Sequence, residues 1–275
     1  MHTTLIDPFG RAIEYVRLSV TDRCDLRCSY CMPQGFRGFE VPEHWLTFDE
    51  IERVIGAFGR LGVSRIRLTG GEPLVRKDLP ALAARLAALP GILDLSLSTN
   101  ATRLARQAAG LREAGISRIN VSLDSLRAKR FRDITGGKLD KVLSGLMAGK
   151  ASGFSPVKIN TVVMAGVNDD EVEDMVEFCS EHDFTLRFIE TMPMGDTGRA
   201  ASRRYLDLQE VRRRLERRFD LLPGVMPGGG PARYVQVAGT RLRIGFITPI
   251  SKHFSATCNR VRLSVDGTLY PVSYT

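Results

Sequence analysis

The sequence lacks any long hydrophobic run. No stretch reaches the roughly 18 consecutive apolar residues that a membrane-spanning helix needs. The N-terminal segment MHTTLIDPFGR also lacks the apolar run of a secretion signal. From these two absences we expect a cytoplasmic protein with no membrane partner. The 275 residues, 43% of them hydrophobic, are enough to bury the core of one large domain or of one domain with an appendage.

Aromatic residues are scarce, at 7% of the chain, whereas the net charge is +8. A basic protein suits an anionic partner. Single-stranded nucleic acid is usually held by aromatic side chains placed among basic ones, and no such platform is interleaved with the arginines of the basic segment at 203–219. We therefore expect no nucleic-acid partner, and assign the charge to a phosphate-bearing ligand or to an ordinary basic surface.

Cysteine and histidine are few, and their positions exclude a disulfide framework. The five cysteines are an odd number, and three of them lie between positions 24 and 31. This crowding is poor geometry for disulfides and typical of a metal site in a reducing compartment. Cys179 falls on the apolar stripe of a predicted helix, and the four histidines are scattered without ligand spacing.

Segments rich in Val, Ile and Leu alternate with segments of helical period through about residue 190. The alternation favours a parallel sheet, because parallel strands need a crossover that is usually helical. Six such units are too few for a closed eight-stranded barrel. We predict an α/β fold, a partial (β/α)6 TIM-type barrel, with its chemistry near the carboxyl ends of the strands. The predicted strands are 14–20, 65–69, 93–98, 118–123, 157–164 and 185–190.

The pattern changes after about residue 192. A loop is predicted at 192–201, an amphipathic helix within 203–219 and a flexible Gly/Pro-rich connection at 222–231. Antiparallel strands follow, two of them joined by a turn at Asp266-Gly267. We predict a barrel core at residues 1–195, and a C-terminal helix with a small antiparallel β appendage at 196–275.

The segment DRCDLRCSYCMP places Cys24, Cys28 and Cys31 in a C-x3-C-x2-C spacing after the first predicted strand. Three thiolates on one loop can ligate three irons of a 4Fe-4S cluster and leave the fourth iron open to a small molecule. A structural zinc site would need a fourth N or S ligand, and none is evident nearby. The spacing favours a cluster over zinc or over three inert thiols.

This spacing, with the aromatic Tyr30 before the last cysteine, resembles the motif of the radical S-adenosylmethionine (SAM) superfamily. Residues 70–73, GGEP, follow the second predicted strand and resemble the superfamily segment that receives the methionine amino group. Two glycines there let a backbone approach a ligand closely. The resemblance implies that the open iron chelates SAM and that an electron cleaves it to methionine and a 5′-deoxyadenosyl radical, which takes hydrogen from the substrate.

Nearly the whole chain is similar to the GTP 3′,8-cyclase family of molybdenum cofactor biosynthesis. The resemblance implies a lyase that takes hydrogen from ribose C3′ of GTP and joins that carbon to guanine C8, giving (8S)-3′,8-cyclo-7,8-dihydroguanosine 5′-triphosphate. The matching segments are RLSVTDRCDLRCSYCMP, RIRLTGGEPLVRKDL, STN, INVSLDSL, VKINTVVMAGVND, RFIETMPMG and CNRVRL.

The same resemblance assigns side chains to two ligands. For SAM the residues are Tyr30, Gly71, Ser122 and Met192, and for GTP they are Arg17, Arg67, Ser98 and Lys158. Arginine and lysine on inward-facing barrel positions suit a triphosphate, which they bind by charge-assisted hydrogen bonds. A reductant such as flavodoxin or ferredoxin is also implied, and a homodimer is left open.

The C-terminal segment departs from the family, which holds a second cluster there on C-x2-C and on a further cysteine about a hairpin later. Ser255 and Val272 occupy the first and third ligand positions, so Cys258 is the one candidate ligand left. Serine is a poor substitute for a thiolate and valine cannot bind iron, so we expect a single cluster. The family's Gly-Gly tail is also missing after Thr275. Arg260 and Arg262 lie on alternate residues of a strand, face one side and are expected to bind substrate.

Three alternatives stay open. The protein is an altered or truncated cyclase that binds SAM but turns GTP over poorly, or a divergent relative that acts on another anionic substrate through the first cluster alone. The third is a non-catalytic iron-sulfur sensor or electron carrier, for which four cysteines and no GGEP segment would be expected. In the third case, SAM should leave the spectrum of the cluster unchanged.

Overall fold

A computed structural model of the chain describes residues 4–32, 35–39, 41–192, 200–226, 231–251 and 258–271. Within these ranges the strands are β1 (Tyr15–Ser19), β2 (Arg65–Thr69), β3 (Asp94–Thr99), β4 (Arg118–Ser122), β5 (Val157–Val163), β6 (Thr185–Glu190), β7 (Leu221–Gly224), β8 (Arg233–Val237), β9 (Arg243–Ile247), β10 (Arg260–Leu263) and β11 (Leu269–Pro271). The α-helices are α1 (Phe48–Arg60), α2 (Leu79–Ala87), α3 (Ala108–Glu113), α4 (Ala128–Thr135), α5 (Leu139–Ala151), α6 (Val172–Glu181) and α7 (Leu208–Glu216). No described helix has the length and apolarity needed to cross a membrane.

All the strands of the described chain join one sheet, in the order β11-β10-β1-β2-β3-β4-β5-β6-β9-β8-β7. Strands β1 to β6 are parallel and adjacent in sequence order, as the alternation of strands and helices predicts. The described strands do not close into a full barrel, so the predicted partial barrel is confirmed. The C-terminal strands extend this sheet at both edges, because β10 pairs with β1 and β9 pairs with β6, both in parallel.

Alternation along the strands separates an apolar outer face from a polar inner face. In β1 and β2 the residues Val16, Leu18, Ile66 and Leu68 are fully buried within the hydrophobic core. The core also contains apolar residues of all seven α-helices, so these strand side chains pack outward against the helices. The intervening positions of the same strands, Tyr15, Arg17, Arg65 and Arg67 among them, face the barrel lumen.

Helix α1 begins where its sequence predicts. Thr47 is the N-cap, its hydroxyl accepts a hydrogen bond from the Glu50 amide, and the Glu50 carboxylate accepts one from the Thr47 amide. This capping box satisfies two backbone donors that would otherwise lack partners at the helix start.

Several predicted segments differ from the structure. Residues 222–231 were expected to be a flexible connection, but Leu221–Gly224 forms β7 and pairs antiparallel with β8. Pro223 is tolerated because β7 is the outermost strand of the sheet. The helix predicted within 203–219 begins only at Leu208, after Asp207 caps it. Residues 193–199 of the predicted loop and 227–230 of the predicted connection lie outside the described ranges.

Candidate active site

The loop that carries the three clustered cysteines follows β1, and the GGEP segment follows β2, so both lie at the carboxyl end of the barrel. They are joined through the backbone: the Gly71 amide donates to the Thr21 carbonyl at 2.9 Å, and the Glu72 amide donates to the Arg23 carbonyl at 2.7 Å. Gly70 has a φ of +139°, and a Cβ there would lie 2.0 Å from the Thr21 carbonyl oxygen. The glycines therefore allow two loops to pack together, whereas the sequence analysis had explained them by the approach of a ligand.

The side chain of Glu72 fastens the GGEP segment to the end of β3. It is 1% exposed, and it accepts hydrogen bonds from the Thr99 hydroxyl at 2.7 Å and from the Asn100 amide at 2.6 Å. Burial raises the pKa of Glu72 to about 7. The Asn100 side chain in turn donates to Asp25 in the cysteine loop, at 2.8 Å. The ends of β2 and β3 and the cysteine loop thus form one hydrogen-bonded unit.

Cys24, Cys28 and Cys31 are free thiols on this unit, the first two half-buried and the third exposed. Burial raises the pKa of all three thiols, and the charge of Cys31 adds to the rise at Cys24 and Cys28. The described side chains contain no set of three His, Cys, Asp or Glu residues already at metal-binding geometry. The donor set itself fits a 4Fe-4S cluster, because three thiols on one loop supply three ligands, and iron binding displaces their protons.

Tyr30 links this loop to the opposite side of the barrel mouth. Its hydroxyl donates to the Asp124 carboxylate, just beyond β4, at 2.7 Å. Burial raises the pKa of Asp124 to about 6, and it raises the pKa of Tyr30 as well. Ser122 lies exposed at the end of β4, and Met192, 42% exposed, follows β6. All four residues expected to bind SAM are thus found at the same end of the barrel.

The residues expected to bind GTP lie on the inner face of the sheet, deeper in the lumen. Arg17 is in register with Arg67 on one side and with Arg262 on the other. Burial lowers the pKa of Arg17 to about 10, and the charges of Arg262 and Arg67 add to this effect. Lys158 is 8% exposed, and its pKa is lowered to about 7 by burial and then by nearby arginines. These cations repel one another, so an anion bound among them would be strongly favoured.

Several lumen residues were missed by the sequence analysis. Arg187 in β6 is 7% exposed, donates to the Asn120 side chain, and has a pKa lowered to about 10 by burial. Arg118 pairs with Asp94 of the neighbouring strand. Arg187 is a charged residue between the apolar Leu186 and Phe188 of β6, and that alternation was the available signal.

Polar atoms without a partner converge on the same lumen. Buried polar atoms in proteins are nearly always hydrogen-bonded, so a group of exceptions indicates a place for a polar ligand. The Tyr15 ring has the guanidinium groups of Arg67 and Arg260 over it, at 5.3 and 5.0 Å from the ring centre. Among the described side chains, the lumen atoms that are buried without a hydrogen-bond partner are Tyr15 Oη, Arg17 Nε, Arg118 Nε, Asn160 Oδ1 and Arg187 Nε.

The C-terminal segment offers one thiol near the lumen. Cys258 is 6% exposed and lies two residues before β10, which carries Arg260 and Arg262. Ser255 and Val272 lie outside the described ranges.

Comparisons with known proteins match the whole length of this architecture. The sequence model of the radical SAM superfamily matches residues 18–179, and the model described as Molybdenum Cofactor Synthesis C matches residues 184–272. The chain is 48% identical over 272 residues to a GTP 3′,8-cyclase of Ectopseudomonas mendocina. That alignment covers 98% of this chain and 82% of the relative. The chain is also 50% identical over 269 residues to GTP 3′,8-cyclase 1 of Pseudomonas aeruginosa. This second alignment covers 97% of this chain and 82% of that relative.

Solved structures share the fold at low sequence identity. SuiB of Streptococcus suis, crystallised with S-adenosylmethionine, aligns with a TM-score of 0.66 and 17% identity over 95% of this chain. The chain spans 62% of the length of that protein. TYW1 with a lysine-pyruvate adduct aligns with a TM-score of 0.52 and 16% identity. On the sequence matches, the chain belongs to the radical SAM superfamily and, within it, to the GTP 3′,8-cyclase family.

Proposed function

We propose that this chain is a radical SAM lyase that joins C3′ to C8 of GTP in molybdenum cofactor biosynthesis. The observation that carries the proposal is a lumen lined by buried cations directly below a loop with three thiols. The relatives of 48–50% identity are named for the same reaction.

The lumen residues bind and orient the substrate. Arg17, Arg67, Lys158 and Arg187 hold the triphosphate, because burial and neighbouring cations disfavour their charges and a bound polyanion offsets both effects. Arg260 and Arg262 approach the same space from β10. Ser98 is in register with Asn120 and adds a hydroxyl on the adjoining wall. Together these groups hold the nucleotide inside a protein-lined space, with its ribose toward the cysteine loop.

Cys24, Cys28 and Cys31 hold the 4Fe-4S cluster. When bound and reduced, that cluster supplies the electron that splits SAM and so produces the radical that takes hydrogen from ribose. Tyr30, Gly71, Ser122 and Met192 border the place where SAM binds, between this loop and the strand ends. The backbone bonds from Gly71 to Thr21 and from Glu72 to Arg23 keep that border fixed.

We also propose that this chain carries one cluster, in contrast to the two of its family. The support is the sequence of the C-terminal segment, in which Cys258 is the one thiol. Cys258→Ala should then leave the iron content unchanged, whereas Cys28→Ser should lower it. Loss of iron from the Cys258→Ala protein would contradict the single-cluster proposal.

The remaining proposals concern the reductant, the cellular compartment, the oligomeric state and the domain division. A small one-electron reductant such as flavodoxin or ferredoxin delivers the electron, and the protein acts in the cytoplasm, where thiols stay reduced. A homodimer and a division of the chain near residue 195 are further proposals. The oligomer can be tested by light scattering, and the division by limited proteolysis.

The function is tested by incubating the reconstituted enzyme with GTP, SAM and dithionite under anaerobic conditions. We expect GTP to be consumed and a species of the same mass to form, because ring closure and reduction of the guanine leave the composition unchanged. Cys28→Ser should abolish the product, whereas Cys179→Ala, which alters a buried cysteine of α6, should retain it. Release of 5′-deoxyadenosine without loss of GTP would instead favour a divergent enzyme with another anionic substrate.

A further inference from the structure

Asp124 is a buried carboxylate at the junction between the cysteine loop and the barrel wall. It is 3% exposed. Its Oδ2 accepts a hydrogen bond from the Tyr30 hydroxyl at 2.7 Å, and its Oδ1 accepts one from the Val162 amide of β5 at 2.9 Å. Burying a carboxylate is costly, so the groups it binds indicate its purpose. One of them belongs to the wall and the other to the cysteine loop.

The wall holds Asp124 in place without help from the cysteine loop. The Asn168 side chain donates to the carbonyl oxygens of Asp124 and Val162, at 2.7 and 2.9 Å. Glu171 accepts hydrogen bonds from the hydroxyl of the next residue, Ser125, at 2.8 Å. The position of the carboxylate is therefore set by the ends of β4 and β5. The Tyr30 side chain, in contrast, depends for its placement on its hydrogen bond to Asp124.

Tyr30 lies between Cys28 and Cys31, and Asp124 lies two residues after Ser122. A hydrogen bond at the far end of a tyrosine ring fixes the direction of the whole side chain, because the ring has only two side-chain torsions. We propose that Asp124 is a positioning residue for SAM: it holds the Tyr30 ring as a wall of the cofactor site, beside the end of β4. The proposal deepens the proposed function and rests on it, since it requires that SAM bind here.

The test measures SAM binding and the cluster spectrum in the full-length protein after anaerobic reconstitution. Asp124→Asn and Tyr30→Phe should each weaken SAM binding about tenfold in equilibrium dialysis, as expected when an aromatic wall loses its anchor. Both should also change the shift that SAM causes in the electron paramagnetic resonance signal of the reduced cluster. The double variant should bind SAM no more weakly than the weaker single variant, because both changes remove the hydrogen bond between Tyr30 and Asp124.

Glu171→Gln is the matched control. Glu171 is a carboxylate of 1% exposure that binds the same wall loop, but within the described ranges its hydrogen bonds go to Ser125, Leu126 and Arg130 and not to the cysteine loop. This variant should lose thermal stability yet bind SAM within about twofold of wild type.

Equal SAM affinities in Asp124→Asn, Tyr30→Phe and Glu171→Gln would overturn the proposal. If Asp124→Asn does not retain iron, an unchanged affinity in Tyr30→Phe overturns it alone. Failure of the wild-type protein to bind SAM would contradict the proposed function instead.

Discussion

The packing of the active-site loops depends on Gly70, a residue that has no side chain. Gly70→Ala should lower the free energy of unfolding by roughly 3 kcal/mol and reduce iron retention, because its φ of +139° and the Thr21 carbonyl both exclude a Cβ. Gly153→Ala is the control, since Gly153 also has a positive φ, +81°, but open space around it. That variant should lose roughly 1–2 kcal/mol and retain iron. Denaturant unfolding and iron analysis check both, and equal losses would show that the loop contact is unimportant.

Lys158 predicts a pH dependence of substrate binding. With a pKa of about 7 in the free protein, it loses its charge as the pH rises through neutrality. The affinity for GTP should therefore fall between pH 6.5 and 8.5, by about tenfold, because the triphosphate binds the protonated amine better. Lys158→Arg remains charged across this range, and its affinity should fall less. Calorimetric titrations at several pH values measure the GTP affinity of both proteins. The difference between their pH dependences isolates Lys158, because the titration of GTP itself affects both proteins equally. Identical slopes for the two proteins would contradict this assignment.

Sequence motifs at the residue scale located the cysteines but not the contacts that hold them. Tyr30 and Asp124 are 94 residues apart, and no local pattern connects them. Glu72 was noted as part of GGEP, but its bonds to Thr99 and Asn100 depend on how β2 and β3 meet. Arg187 was predicted to be part of a strand, and its inward direction was available from the alternation. The side chains that act through long-range packing are the ones that sequence reasoning missed.

The glycines of two helices differ in a way that yields a paired prediction. A Cβ on Gly145 in α5 would lie 2.2 Å from the Ala101 carbonyl oxygen, whereas a Cβ on Gly110 in α3 would meet nothing within 4 Å. Gly145→Ala should therefore destabilise the protein by about 1–3 kcal/mol through overpacking. Gly110→Ala should stabilise it by about 0.5–1 kcal/mol through helix propensity and reduced freedom of the unfolded chain. Thermal unfolding measures both, and two changes of the same sign would contradict the packing described for α5.

Elements with a strong period were predicted well. The bounds of β2 and β6 agree with the predicted strands 65–69 and 185–190. β7 was missed because Pro223 and Gly224 are typical of turns, and its pairing with β8 comes from tertiary structure. The division of the chain near residue 195 stays a prediction.

At the scale of the whole molecule, the lumen concentrates positive charge inside a fold that gains stability from apolar burial. Arg187→Met should raise the free energy of unfolding of the ligand-free protein by about 1 kcal/mol, because it removes a buried cation that faces other cations. The same change should weaken GTP binding at least tenfold.

Arg118→Met is the counterpart, because it leaves Asp94 without its arginine partner. It should weaken GTP binding too, but lower stability by about 1 kcal/mol. Calorimetry of unfolding and of binding separates the two effects. If Arg187→Met destabilises the protein as much as Arg118→Met does, the lumen is not organised to bind an anion.

The most direct test of the account combines an iron count with a measurement of radical chemistry. After anaerobic reconstitution with iron and sulfide, we predict about four irons per chain and 5′-deoxyadenosine release from SAM that increases when GTP is added. About eight irons per chain, or release that does not respond to GTP, would contradict a single-cluster enzyme that uses its cationic lumen to hold GTP.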